Sequence, residues 1–173
     1  MPLTLIKEDG TGRVDANAYA NAADGDAYHD GHLYASAWTA AGTANKEAAL
    51  VMATRLMDAE YQFNGVKATV AQALQWPRED CPDPDAVSGT VAGDVVPKAV
   101  VEATCELARE LLIGDRTAAP AGEGLKYQNV GTTQTGYDKS DTRPVIAHAA
   151  QAMLAKFGAL IKSKSGAVRL VRA

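Results

Sequence analysis

The sequence is short of the groups that carry chemistry. Its 173 residues include two cysteines and three histidines. Cys81 and Cys105 have no CxxC spacing and no histidine nearby, so they read as two reduced thiols rather than a redox pair or a nucleophile. No GxSxG or HExxH pattern occurs, and the carboxylates scatter over solvated helix faces and loops; the sequence therefore reads as that of a non-enzyme without cofactor. Gly10 and Gly12 lack the further glycine and the Lys-Ser/Thr that would cradle a phosphate. Asp26, His29, Asp30 and His32 make a loose set without a further ligand cluster, and read as exposed polar residues at a helix end rather than a metal site. The acids between Asp80 and Asp94 lack the spacing and terminal glutamate of a calcium loop. No apolar run approaches the ~18 residues of a membrane span, and the first ten residues are too charged for a signal peptide, so the protein is expected to be soluble.

Aromatics are scarce, at 6%. Each one is expected to anchor a packing contact. Alanine takes their place and suits close helix packing. The length fits one domain, which buries roughly two thirds of its unfolded surface and needs neither metal nor disulfide to fold.

Charge divides the chain. Residues 162–173 carry Lys162, Lys164, Arg169 and Arg172 with no acid, so the rest carries −8 against a total of −4. An acidic body argues against general affinity for a phosphate backbone, which needs a basic face.

Taken in order, Leu3 to Lys7 reads as a short strand or extended arm, broken by the turn residues Glu8 to Gly12. Asn21 caps a helix over 22–30, with Asp24 and Asp26 near its positive end. A longer helix spans 44–63, where Leu50, Ala53, Met57 and Tyr61 recur at helical spacing, and Asn64-Gly65 stops it. A short helix over 69–75 follows. Trp76-Pro77 ends it in a structural corner with Trp76 buried, since proline disfavours helical geometry at the residue before it. Arg78, just beyond, is expected to face a neighbouring subunit. Residues 79–96 read as one exposed loop. Pro97 opens a helix along Val100, Thr104, Leu107 and Leu111 that Gly114 closes. A hairpin is expected at about 123–138. Such a hairpin is marginal alone, so Tyr127, Val130 and Tyr137 are expected to pack between subunits. A last helix spans 144–161. Ala167 to Arg172 then alternates apolar and basic side chains, which fits an arm that adds to another sheet or lies in an acidic groove. The fold class is mainly α: a small bundle of about four to five helices with a β-hairpin and extended N- and C-terminal arms. Its domain runs over 1–162 and its arm over 163–173.

Several stretches resemble one family. They are Glu8-Asp-Gly-Thr-Gly12, Ala16-Asn-Ala-Tyr19, Ala27-Tyr28, Trp38, Lys46-Glu-Ala-Ala-Leu50 with Ala53-Thr54, Gln72-Ala-Leu-Gln-Trp-Pro-Arg78, Val96-Pro97 with Glu106-Leu-Ala108, and Val168-Arg-Leu-Val-Arg172. Together they are similar to a family of tailed bacteriophages and prophages labelled DnaT-like single-stranded-DNA-binding proteins. Its members resemble head-to-tail connectors, rings usually of twelve copies. The resemblance implies a virion protein of the neck, made in the host cytoplasm, that docks beneath the portal protein, offers a surface to a tail-side stopper or tail terminator, and passes double-stranded DNA through its channel. It gives Val168, Arg169, Leu170, Val171 and Arg172 the portal contact. The label taken literally implies instead a replication accessory protein on single-stranded DNA, which needs a basic groove with stacking aromatics.

Overall fold

The computed structural model describes residues 3–118, 127–136 and 143–161, and its architecture is helical with small sheets at the margins. The elements run α1 (Ala22–His29), α2 (Ser36–Thr39), α3 (Thr43–Glu60), β1 (Tyr61–Phe63), β2 (Val66–Lys67), β3 (Arg78–Glu79), α4 (Lys98–Ile113), β4 (Tyr127–Val130), β5 (Thr133–Gly136), α5 (His148–Leu154) and β6 (Gly158–Leu160). The helix α4 lies at the centre, against α3 on one side and α5 on another, with α1 and α2 along its length. Five helices, a hairpin and an extended N-terminal stretch match the fold class read from the sequence. The buried core joins Leu50, Ala53 and Met57 of α3 to Val100, Ala103 and Leu107 of α4 and Ala150 and Leu154 of α5. Alanine at three of these positions lets the helices approach closely.

The helix starts follow local chemistry. Asn21 accepts from Asp24 N while the Asp24 carboxylate accepts from Asn21 N, a reciprocal pair that satisfies two otherwise unpaired donors at the head of α1. Pro97 stands immediately before α4, where its missing N–H costs nothing. Gly25, inside α1, is required by packing rather than by backbone: a Cβ there would meet Trp38 Cζ2 at 2.2 Å. Trp38 is buried and donates from its indole nitrogen to Asp26.

Three expected helical boundaries move for tertiary reasons. The helix over 44–63 ends at Glu60, because Tyr61–Phe63 leaves it to pair antiparallel with β6, Tyr61 opposite Leu160 and Phe63 opposite Gly158. The helix over 144–161 shrinks to α5 for the same reason. Gly158 permits the approach, since a Cβ would lie 2.5 Å from Gln62 O. The helix over 69–75 does not form. Its amides are taken elsewhere: Ala73 N donates to Arg13 O, and Gln75 N and Trp76 N donate to the Tyr19 hydroxyl.

The stretch 79–96 is largely exposed, as its composition implies, with Cys81 its one buried residue. It begins in β3, which pairs with β2. The hairpin does form, with β4 and β5 joined through Gly131 and Thr132 and Gly131 at φ +61°. The N-terminal stretch is held by Asn17, which accepts from Ile6 N and donates to Thr4 O, and by a bridge between Lys7 and Ala18.

Candidate functional site

The stretch Gln72 to Arg78 ties together Arg13, Tyr19, Asp58, the Phe63–Gly65 turn and Phe157. Its first residue sets the turn: Gln72 N donates to Thr69 Oγ1, Thr69 N donates to the Gln72 side-chain oxygen, and the Gln72 amide nitrogen reaches Leu74 O and Pro77 O. The corner is therefore closed from within. Trp76 is fully buried, with Phe63 and Phe157 edge-on at 5.7 Å each, and its peptide bond to Pro77 is cis. Trp76 and Pro77 thus form the structural corner that the sequence indicated.

Arg78 corrects an expectation. The guanidinium is turned inward, and the residue is 5% exposed. It donates to the carbonyls of Phe63, Asn64, Gly65 and Gln75 and to the Gln75 side chain. A rigid planar fork can tie four carbonyls at once. Arg78 clamps the turn between β1 and β2, with its guanidinium bonded within its own chain.

Two acidic residues complete this hub: Asp58, which the sequence did not single out, and Glu8, which it read as part of a turn. Asp58 accepts from the Tyr19 hydroxyl and from Gln75 N, and burial pushes its carboxyl up to about 6 despite these donors. The Tyr19 hydroxyl is held neutral, first by burial and then by the Asp58 charge. Glu8 is 1% exposed and folds back onto the turn behind it, accepting from Gly10 N, Gly12 N and Arg13 N at 2.9 to 3.0 Å. Gly10 and Gly12 have φ of +98° and +72°. This conformation points successive amides at one place, and the sequence signal for it is a glutamate two residues before a Gly-x-Gly.

The histidines also differ from expectation. His29 is buried at 2% exposure, with Nε2 on Cys105 O at 3.2 Å and its ring beside Trp38. Burial lowers its pKa, which keeps the ring neutral. His32 accepts from Tyr34 N through Nδ1 and faces Glu106 through Nε2. With these nitrogens engaged, the set around Asp26 does not converge, and no cluster of three metal-ligating residues occurs among the described residues. Cys105, inside α4, is raised to about 12 by burial and is a thiol at neutral pH.

Surface electrostatics decide what the body can bind. Of the eleven lysines and arginines among the described residues, seven lie within ion-pair distance of a carboxylate. Lys156 is shared by Asp83 and Asp85, and Arg109 by Glu106 and Glu110. Eighteen acidic residues stand against the eleven basic ones. Exposed aromatics are sparse as well: Tyr34 beside Leu33 in the turn after α1, and Tyr127 on the hairpin at 57%. Val130 falls in β4, while Tyr137 and the arm residues Val168 to Arg172 lie outside the described residues.

The described residues form a small helical body with an acidic surface, in which three buried side-chain nitrogens, His29 Nδ1, Trp76 Nε1 and Arg109 Nε, have no hydrogen-bond partner. The chain belongs to the family described as "Putative DnaT-like ssDNA binding protein", whose model matches residues 3–173. No curated protein and no solved structure matches it.

Proposed function

We propose that the protein is a structural adaptor of a phage neck: copies assemble as a ring beneath the portal, present a surface to a tail-side protein, and let double-stranded DNA pass. The observation that carries this reading is the division of charge. The described body is acidic and holds seven of its eleven cations within ion-pair distance of its own carboxylates, while residues 162–173 carry four basic residues and no acid. A conduit for DNA gains from walls that repel phosphate, and a ring multiplies each negative charge by its copy number. The exposed Tyr127 on a two-stranded hairpin suits a contact between neighbouring copies. Deleting Gly166–Ala173 tests the arm. The truncated chain keeps its circular-dichroism spectrum and loses attachment to portal-bearing heads; unchanged attachment moves the portal contact elsewhere.

The family's description favours a second reading, a replication accessory protein on single-stranded DNA. In that case the contact falls to the basic tail, since the described body offers no continuous run of unpaired cations interleaved with aromatics. A gel shift with a single-stranded oligonucleotide at low salt separates the two. Submicromolar binding that weakens steeply with salt selects the DNA-binding reading.

A further inference from the structure

The sheet of β1 and β6 has one edge taken and one open. Ile161 N donates to Glu60 O at 2.7 Å and Asn64 N to Phe157 O at 2.8 Å, with Gln62 opposite Ala159 between them. Backbone groups alternate along a strand, so Phe157, Ala159 and Ile161 turn towards β1, and Gly158 and Leu160 turn away. The far side of β1 is occupied: Tyr61 N donates to Met57 O, and Arg78 covers Phe63 O. The far side of β6 has no strand partner among the described residues. Beside it runs a shallow, largely apolar groove of about 480 Å³, lined by the whole edge Gly158 to Leu160 with Tyr61 next to it and His148, Gln151 and Ala155 behind. An open edge next to an apolar groove is the arrangement that takes up an added strand.

We propose that this edge docks the chain's own segment Ala167–Arg172 as a third, antiparallel strand. The occupant follows from where the chain goes. Residues 162–166, Lys-Ser-Lys-Ser-Gly, directly continue β6. Five polar and small residues ending in glycine suffice for a hairpin loop. A return after Gly166 sets Ala167 opposite Ile161, Val168 opposite Leu160 and Leu170 opposite Gly158. Gly158 and Leu160 are the two residues whose backbone groups face outward, so the register supplies both hydrogen-bonding pairs. Side chains of opposed residues share a face, which lays Val168 and Leu170 on the face of Tyr61 and Leu160, where Tyr61 meets Gln151, and turns Arg169 to the opposite face with the exposed Ala159. The alternation of the arm matches this edge in that register; a shift by one residue would place Arg169 on the face that packs against α5. The short tether adds a high effective concentration. This docking stands whichever function the family performs: it makes the arm an internal strand that a partner must displace.

The test is register-specific crosslinking in the full chain. Ala159→Cys with Arg169→Cys places two thiols opposite each other in the new ladder, at a Cα separation of about 4.5 Å that a disulfide accepts. Cys81 and Cys105 are buried and do not compete. The expected result is an intrachain disulfide that forms at least about tenfold faster than in Ala159→Cys with Leu170→Cys, whose second thiol points to the opposite face. Adding Val168→Asp to the in-register pair slows its closure to the rate of the out-of-register pair, while circular dichroism stays unchanged. Equal rates for the two pairs overturn the proposal. So does a predominance of interchain dimers, which would assign the edge to a second copy.

Discussion

Replacing Tyr19 by phenylalanine removes a single oxygen from the centre of the hub. The ring still fills its site, so no cavity opens. Three hydrogen bonds are lost: the hydroxyl accepts from Gln75 N at 3.0 Å and Trp76 N at 3.2 Å, and donates to Asp58. Gln75 N keeps Asp58 Oδ2 at 3.1 Å as a second acceptor. Trp76 N has no such alternative and becomes a buried unpaired donor, at a cost of about 2 kcal/mol. Asp58 loses its charge-assisted donor, worth about another 2 kcal/mol while the carboxylate is ionised. The second contribution depends on pH. Asp58 is raised to about 6 by burial, so its folded form holds a proton that its unfolded form has released between about pH 4 and 6. Its stabilising protonation is fully present below the unfolded value and lost as pH rises through about 6. The hydroxyl therefore matters most above pH 6. Urea unfolding is expected to show a loss of about 4 kcal/mol for Tyr19→Phe at pH 7.5 and about 2 kcal/mol at pH 5, the first equal to roughly 8 to 16 °C in Tm for a chain of this size. A loss under about 0.5 kcal/mol, or the same loss at both pH values, refutes the reasoning.

The remaining predictions rest on single contacts. Arg78→Lys retains the charge but cannot span four carbonyls, and is expected to lower stability by about 3 kcal/mol in urea unfolding; a change near zero would return Arg78 to the surface. Gly25→Ala gains helix propensity yet drives a methyl into Trp38, for a net loss of about 2 kcal/mol and reduced quenching contrast between native and unfolded tryptophan fluorescence. His29 is held neutral by burial, so its contribution is present above the ordinary histidine value and is lost as pH falls below it. The stability difference between the wild type and His29→Gln should accordingly shrink from pH 7.5 to pH 5.5, and a difference that widens contradicts a buried neutral ring.

What the sequence revealed and what it hid divide along the range of the interactions. The start of α1 was legible because Asn21 and Asp24 cap each other three residues apart. The ends of α4 were legible because Pro97 and Gly114 act through their own backbone. The hairpin carried its own turn at Gly131. The ends of α3 and α5 were not legible, since Tyr61–Phe63 becomes a strand only by meeting Gly158–Leu160 from the far end of the chain. The same holds for residues 69–75. They have helical composition, but Tyr19 and Arg13 take their amides. In the candidate site, Trp76 was recognisable as a buried anchor from its size and the following proline. Arg78 was misread because a charge beside a turn looks exposed, and only the cluster of carbonyls from Phe63 to Gly65 shows why it turns in. Glu8 was hidden for a similar reason: its partners are backbone amides, which no side-chain pattern records.

The adaptor reading is tested most directly by weighing the chain with and without a phage portal protein encoded beside it, if one is found, by mass photometry. The account predicts that the portal gains the mass of one ring of copies, about twelve if the resemblance to connectors holds, and that the gain disappears on deleting Gly166–Ala173. A portal whose mass is unchanged at micromolar concentrations of the protein contradicts it.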